Sequence, residues 1–270
     1  MAIITISRGS YSKGKEVAEK VAECMGYECI SREVLLDASD RFNIPEVRLV
    51  KAIHDAPSIL DRFGHQKQAF IAYIRYSLAR RAQKDNVVYH GLAGHLLLSG
   101  IPHVLKVRII ADLEDRVKSE MRREGVSENE ARTLIIRDDQ ERRKWTRTLF
   151  GQDPWDSALY DLVIHIRELT VDDAARFTCE AAQLKPFETT PEAKQKMNDL
   201  VAACELKAAL LDEYPDVRVT CEYGTVLIYT KSGERIQHKL HERAWKLAQK
   251  IDEIHHLEVH AGVVPPPRAV

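Results

Sequence analysis

The fold class can be inferred from the stretch Ala2-Ile3-Ile4-Thr5-Ile6-Ser7-Arg8-Gly9-Ser10-Tyr11-Ser12-Lys13-Gly14-Lys15-Glu16. The run Ala2–Ser7 is apolar and β-branched, which predicts a buried strand. The following run, Lys15–Met25, has apolar residues at helical spacing and predicts a helix. A loop of glycine, serine and lysine therefore joins a strand to a helix. In open α/β sheets, ligands bind beyond the carboxyl ends of the strands, where such loops lie.

The loop has the pattern G-x-x-x-x-G-K, which forms the first seven positions of a Walker A phosphate loop. Backbone N–H groups and the positive helix end would hold phosphate oxygens, and the lysine would add a positive charge. The predicted ATP- or phosphate-binding residues are Gly9, Ser10, Ser12, Lys13, Gly14, Lys15 and Glu16. The eighth position carries Glu16 instead of the Ser or Thr that binds magnesium, and Tyr11 and Lys13 are bulky. The alternative is a tight strand-to-helix turn that binds no ligand.

The rest of the first 187 residues continues the alternation of strands and helices. Further strands are predicted at Val87–Tyr89, Val104–Ile110 and Leu162–Ile166, and helices are predicted between them. This order predicts an α/β fold with a parallel sheet that is covered by helices on both faces. Two patterns also predict helix starts, Ser127-x-x-Glu130 and Thr170-x-x-Asp173.

Composition narrows the functional classes. The chain has 270 residues, 44% of them hydrophobic, and 40 Lys and Arg against 41 Asp and Glu, so its net charge is -1. This excludes a globally basic binder of DNA or RNA. The apolar runs are too short for a membrane span, and no secretory signal is visible. Five cysteines without C-x-x-C spacing predict free thiols in the cytoplasm, and no metal site held by protein side chains is expected.

Two segments are locally basic. The stretch from Arg62 to Lys84 has no acidic residue, and the helix predicted at about Gln66–Lys84 within it carries Arg75 and Arg80. A second segment, Arg137–Arg147, contains several arginines with acids close by. Guanidinium groups suit the charge that develops on a transferring phosphoryl group. The alternatives are a solvated basic face for the first segment and a salt-bridged surface helix for the second.

Four groups of residues give the chain a family resemblance over residues 2–184. They are Ile4-Thr5-Ile6-Ser7-Arg8 with Gly14-Lys15-Glu16-Val17-Ala18; Tyr27-Glu28-Cys29-Ile30-Ser31-Arg32-Glu33; Ala111-Asp112-Leu113-Glu114-Asp115-Arg116-Val117 with Gly125-Val126-Ser127-Glu128; and Asp139-x-x-Arg142 with Trp155 and Tyr160-Asp161-Leu162. The combination resembles the cytidylate kinase-like family of P-loop nucleoside monophosphate kinases, in which Glu follows the Gly-Lys pair.

The resemblance implies ATP and Mg²⁺ at the loop and phosphoryl transfer to a nucleoside monophosphate, CMP or dCMP. It implies a mobile lid from Arg137–Arg147, with Lys15, Arg137, Arg142 and Arg143 as catalytic cations and Arg32 near the acceptor. One position departs from the family, because Leu92 stands where an acceptor-binding arginine is expected. Three explanations remain: Arg75 or Arg80 substitutes for that arginine, the acceptor is not CMP, or acceptor kinase activity is lost.

The C-terminal part predicts a second unit. A helix at 192–212, strands at 217–221 and 225–230, a helix at 234–250 and a strand at 257–261 form an α-β-β-α-β order. The order resembles a BON domain, which implies a small α+β domain at 188–262 after a kinase-like domain at 1–187. A regulatory or oligomerising role, or binding of a small ligand, is expected of it. Residues 263–270, with three consecutive prolines, are predicted to be disordered.

Two functional hypotheses follow. The first is an ATP-dependent nucleoside monophosphate kinase. The second is a catalytically weak nucleotide-binding sensor that signals through the C-terminal unit. A third and weaker one is a kinase for another small phosphate acceptor.

Overall fold

The computed structural model describes residues 2–9, 11–54, 64–267 and 269–270, so Ser10 lies outside the described residues. The strands in this part of the chain are β1 (Ile3–Arg8), β2 (Glu28–Ile30), β3 (Val87–Tyr89), β4 (Val104–Ala111), β5 (Leu162–Ile166), β6 (Arg218–Glu222), β7 (Thr225–Thr230) and β8 (His256–Ala261). The helices are α1 (Gly14–Met25), α2 (Glu33–Phe42), α3 (Glu46–His54), α4 (Gly64–Ala82), α5 (Gly94–Leu97), α6 (Leu113–Glu124), α7 (Glu128–Phe150), α8 (Val171–Ala182), α9 (Pro191–Leu210) and α10 (Glu234–Ala248).

The first five strands form one parallel sheet in the order β2-β3-β1-β4-β5. The first strand lies at its centre, because Ile3 pairs with Val87 on one side and with Val104 on the other. The predicted α/β architecture is therefore confirmed. Of the five strands, only β2 was not predicted, because it begins with Glu28 and lacks the apolar, β-branched run of the equally short β3.

Both faces of this sheet are covered by helices. Alternate residues of β1 point to opposite faces, so Ile4 and Ile6 join α1 and α8 in one apolar cluster while Ile3 joins α4 and α5 in another. All three isoleucines are essentially inaccessible to solvent. Burial of each such side chain contributes about 1.5–3 kcal/mol to folding, so the central strand anchors the sheet from both faces.

Local capping explains where several helices start. The Ser127 hydroxyl accepts the N–H of Glu130, and the Glu130 carboxylate accepts the N–H of Ser127, which closes a capping box at α7. Thr170 and Asp173 form the same arrangement at α8, so both predicted helix starts are confirmed. None of the helices in the described ranges is long and apolar enough to cross a membrane.

The C-terminal strands form a separate small sheet, β6-β7-β8, in which β6 and β7 are antiparallel and β7 and β8 are parallel. Its core is continuous with that of the larger sheet, because α9 packs between α4 and the small sheet. Polar contacts cross the same boundary, including Gln83 Nε2 to Asn198 Oδ1 at 2.9 Å and Tyr73 Oη to Asp212 Oδ1 at 3.4 Å. The two sheets therefore share one apolar core.

The end of the chain differs from the prediction of a disordered segment at 263–270. Val270 and Val219 each donate a backbone N–H to the other's carbonyl, at 2.9 and 3.2 Å, and Ala269 and Val270 are buried. The reason is that β6 is an edge strand with unpaired backbone groups, which an extended segment can satisfy. Proline content alone did not indicate this pairing.

One buried polar group stands out in the larger unit. His95, in α5, is 4% exposed, and neither of its ring nitrogens has a hydrogen-bond partner in the described part of the chain. Its ring lies 4.6 Å from that of Tyr160. Burial, together with the nearby Arg108 and Lys106, lowers the pKa of His95 to about 3. The folded protein therefore holds this imidazole neutral.

We expect His95 to make stability depend on pH in mild acid. The unfolded chain protonates this histidine near pH 6.5 and the folded chain only near pH 3, so acidification across that range favours unfolding. The loss is about 2 kcal/mol between pH 7 and pH 5. His95→Leu should remove that part of the loss, as measured by urea unfolding at both pH values. Equal stability differences between variant and wild type at both pH values would contradict this, and His241→Leu, at an exposed site, is the control.

Candidate functional site

The loop after β1 is tied to the neighbouring strand. Ser12 is fully buried, and its hydroxyl lies 3.0 Å from the carbonyl oxygens of both Gly9 and Ile109. The Gly9 N–H also donates to the Ile109 carbonyl at 3.3 Å. The side chain of Ser12, one of the predicted phosphate-binding residues, therefore holds the loop against the end of β4.

The two bulky loop residues are accommodated by left-handed backbone conformations. Tyr11 has φ 59° and Lys13 has φ 62°. The Tyr11 hydroxyl donates to Asp138 at 3.3 Å, and the guanidinium of Arg123 lies 4.4 Å from the centre of its ring. The tyrosine thus packs against α6 and α7, and its size does not prevent the loop from leading into α1.

The start of α1 presents unpaired N–H groups. Its first internal hydrogen bond runs from the Val17 N–H to the Lys13 carbonyl at 3.1 Å. Within the described ranges, the N–H groups of Gly14, Lys15 and Glu16 have no hydrogen-bond acceptor. The side chains of Lys15 and Glu16 are exposed, and Lys15 Nζ lies 3.6 Å from Glu19. This is the arrangement that binds anions at a helix start.

Gly14 permits a close approach by Arg8. A Cβ atom at Gly14 would lie 2.7 Å from Cβ of Arg8 and 3.1 Å from its Cδ. The arginine therefore crosses directly over the first residue of α1. Burial lowers the pKa of Arg8, and the positive charge of Arg142 lowers it further.

A cavity of about 590 Å³ opens beside the loop, at the carboxyl ends of β1 and β3 and close to the end of β2. The polar side chains that line it include Arg8, Arg32, Glu46, His90 and Arg142, and Leu92 lies among them. The volume falls within the range of small-ligand sites. Its position at the carboxyl edge of the sheet is where α/β folds bind ligands.

The three arginines of this cavity differ in their partners. Arg32 holds Glu46 with two hydrogen bonds, at 2.6 and 2.8 Å, and so is already paired. Arg142 has no carboxylate partner in the part of the chain that the structure describes. Arg8 likewise has none in that part. Two guanidinium groups are thus available to an anionic ligand.

His90 also lines the cavity. Its Nδ1 atom is buried and has no hydrogen-bond partner among the described residues. Burial is the main cause that lowers the pKa of His90, and the charge of Arg8 adds to it. A neutral imidazole with an unused nitrogen can exchange a hydrogen bond with a ligand at this position.

Arg75 and Arg80, the predicted substitutes for the arginine that is missing at Leu92, do not line this cavity. Arg75 Nε donates to the Leu97 carbonyl at 2.9 Å, and Arg75 lines a different cavity, next to the C-terminal unit. Arg80 is exposed and bonds Gln83 at 3.0 Å. Of the three arginines that line the cavity with Leu92, Arg8 and Arg142 are those without a carboxylate partner in the described ranges. The position of Arg8, directly before the first loop glycine, is the sequence signal that could have identified it.

The predicted lid segment is part of one continuous helix, α7. Arg143 forms a bidentate pair with Asp153, at 3.0 and 2.6 Å, and stacks 4.0 Å from the ring of Trp155. This pairing holds the pKa of Asp153 far below its usual range. Arg137 is exposed and contacts Asp138 at 3.5 Å. Of the three predicted lid arginines, Arg142 is the one that lines the cavity.

A smaller cavity of about 200 Å³ lies on the other side of the loop. It is lined by Tyr11 and Lys13 of the loop, by Arg116 and Arg122 of α6, and by Ile166 at the end of β5. Arg116 is oriented by a 2.6 Å hydrogen bond to Asp139. The phosphate loop therefore separates two cavities, each of which contains arginine side chains.

Comparison with known proteins agrees with this architecture. Residues 3–168 match the sequence model of the Cytidylate kinase-like family. A cytidylate kinase of Methanopyrus kandleri is 26% identical over 195 residues, which cover 68% of this chain and 94% of that protein. A crystal structure of an uncharacterized protein from Eubacterium ventriosum, 23% identical, covers 68% of this chain and all of that chain with a TM-score of 0.54.

We expect Gly14→Ala to disturb the loop. The added methyl group would meet the stem of Arg8 and force the arginine or α1 to move, at a cost of about 1–3 kcal/mol in the free energy of unfolding. Chemical denaturation measures this cost. Gly233→Ala is the matched control, because a Cβ there meets no atom within 4 Å. Equal stability of the two variants would show that the approach of Arg8 does not constrain the loop.

Proposed function

We propose that this chain, which belongs to the cytidylate kinase-like family, transfers a phosphoryl group from ATP to a nucleoside monophosphate, with CMP and dCMP as the leading acceptors. The observation that carries the proposal is the pair of cavities on either side of an anion-binding loop, with Arg8 and Arg142 in the larger one. Family and fold support a phosphotransferase of the nucleotide kinase type. The identity of the acceptor comes from the family alone.

The donor phosphates would lie at the start of α1. The free N–H groups of Gly14, Lys15 and Glu16 would bind phosphate oxygens there, and the Lys15 ammonium would approach the transferring group. The smaller cavity, with its aromatic and basic lining, would hold the nucleoside part of ATP. The loop residues thus fit a nucleoside triphosphate.

Magnesium would arrive with the nucleotide. Among the described residues, no three His, Cys, Asp or Glu side chains are grouped to hold a metal ion. Mg²⁺ commonly binds through one or two carboxylates, several waters and substrate phosphates. Glu16, exposed in the first turn of α1, is the carboxylate that the loop itself offers. Glu16 would help to hold the ion, which when bound would supply positive charge against that of the phosphates.

The acceptor would occupy the larger cavity. Its phosphate would lie between Arg8 and Arg142, whose charges replace that of the arginine missing at Leu92. An acceptor oxygen would then attack the γ-phosphorus in line, and the positive charges of Lys15 and Arg142 would stabilise the negative charge that develops. Such a reaction requires positioning and electrostatics and no covalent nucleophile on the protein.

A second candidate function is nucleotide sensing without turnover. The observation in its favour is Leu92, which lies in the wall of the larger cavity and cannot bind phosphate. A sensor would bind ATP tightly, as measured by calorimetry, and would form no ADP with any monophosphate. The effect of ATP binding would be transmitted to residues 188–262. We also propose that this C-terminal segment is a BON-like domain with a regulatory or oligomerising role.

The kinase proposal predicts ADP formation that depends on an acceptor. Full-length protein with ATP and Mg²⁺ should form ADP in the presence of at least one common nucleoside monophosphate. Lys15→Ala should abolish this activity without lowering the melting temperature, because Lys15 is exposed and contributes little to packing. Absence of acceptor-dependent ADP across all common monophosphates, with nucleotide still bound, would favour the sensor.

Arg142 tests the assignment of the acceptor cavity. Arg142→Gln removes an arginine that lines the cavity and has no acid partner in the described ranges, so kcat/KM for the acceptor should fall at least tenfold, or about 1.4 kcal/mol. Steady-state kinetics with the acceptor varied measure this. Arg176→Gln, on the exposed face of α8, is the control with the same change in charge. Unchanged kinetics for Arg142→Gln would remove this residue from the acceptor site.

A further inference from the structure

A second large cavity lies away from the phosphate loop, where the two sheets meet. Its volume is about 660 Å³. It is bounded by α4, by the turn after α5, by the end of α7, by α9, by β6 and by the end of the chain around Val270. Among the described residues, its lining shares no residue with the cavities assigned to ATP and the acceptor.

Among the described side chains that line it, three are cationic and none is acidic. The cations are Arg75 from α4, Lys207 from α9 and Arg218 from β6. They come from three elements that are distant in sequence, so the folded chain brings like charges together. Like charges in a partly desolvated space are unfavourable unless a counter-ion joins them.

The contacts of these side chains leave their charges unpaired. Arg75 is half-buried and donates through Nε to the Leu97 carbonyl at 2.9 Å, which fixes the guanidinium at the cavity wall. Neither Lys207 nor Arg218 has a carboxylate within ion-pair distance in the described part of the chain. Burial, together with the charges of Arg218 and Arg75, lowers the pKa of Lys207 to about 7. An anion in the cavity would relieve this repulsion.

The remaining lining suits an organic anion. Neutral hydrogen-bonding side chains come from Gln68, Ser99, Thr148 and Gln152. Apolar walls come from residues such as Ile71 and Phe150. A volume of this size exceeds the need of a lone phosphate ion and matches that of a small organic ligand. Charge at one side and apolar surface at another favour a phosphorylated small molecule.

We propose that this cavity is a binding site for a small organic phosphate, held by Arg75, Lys207 and Arg218 at the junction of the two sheets. The proposal is independent of phosphoryl transfer at the loop and goes beyond it. The site also touches elements that shape the larger cavity. Its lining residue Leu96 belongs to α5, which begins directly after Leu92 and Ala93, and Thr148 belongs to the helix of Arg142. A ligand here would contact both units of the chain.

The test is titration with inorganic pyrophosphate, which supplies the charge of the ligand without its apolar part. Full-length protein carrying Lys15→Ala is used so that binding at the loop is weakened, and calorimetry at low salt measures affinity. We expect binding to persist in this background. Adding Lys207→Gln and Arg218→Gln should weaken it at least tenfold, because each removed charge eliminates a charge-assisted contact. Hydrogen exchange should show protection at 204–218 that these substitutions abolish.

The matched control is Lys246→Gln in the same background. Lys246 is exposed on α10, so this substitution removes one positive charge outside the cavity. Its affinity should equal that of the parent. If the double variant fails to fold, Arg218→Gln alone, at an exposed arginine, provides the comparison. Equal pyrophosphate affinity with and without Lys207 and Arg218, or protection confined to residues 9–17, would overturn the proposal. Neither result depends on whether the chain is a kinase, which the ADP assay decides.

Discussion

The position of β1 between two parallel neighbours is the constraint on which the rest of the structure depends. Because β1 is hydrogen-bonded to β3 on one side and to β4 on the other, its carboxyl end lies in the middle of the carboxyl edge of the sheet. The loop that follows is then anchored by Ser12 and Gly9 to the carbonyl of Ile109 on β4. Both cavities and the arginines that line them lie beside this loop, so their positions depend on where β1 ends.

Arginine partners determine which cations can act on a ligand. Arg142 and Arg143 are neighbours in one helix, yet their side chains point about 100° apart. Arg143 forms an ion pair with Asp153 and stacks on the ring of Trp155, whereas Arg142 lines the cavity without an acid partner among the described residues. Two neighbouring arginines of one helix therefore differ in their contacts, and only the folded chain shows which of them faces the cavity.

The same reasoning applies where the two sheets meet. The acid-free segment around α4 was expected to contribute to the acceptor site, and instead its Arg75 faces α9 and β6. α9 is buried on several sides, with Met197, Cys204 and Leu210 inaccessible, because it packs between α4 and the small sheet. Charges that nearly cancel over the whole chain thus form two local positive regions, one beside the loop and one at this junction.

Local sequence was sufficient to predict the parallel α/β sheet, the loop between β1 and α1, the two capping boxes and the order of the C-terminal elements. These features depend on periodicity, glycine and caps, which act over a few residues. Contacts between distant residues required the folded chain. They include Arg8 over Gly14, the presence of Arg8 and Arg142 in the cavity that Leu92 lines, and the pairing of Val270 with Val219. Helical spacing shows which residues share a face, but the packing of the helix against its neighbours decides what that face meets.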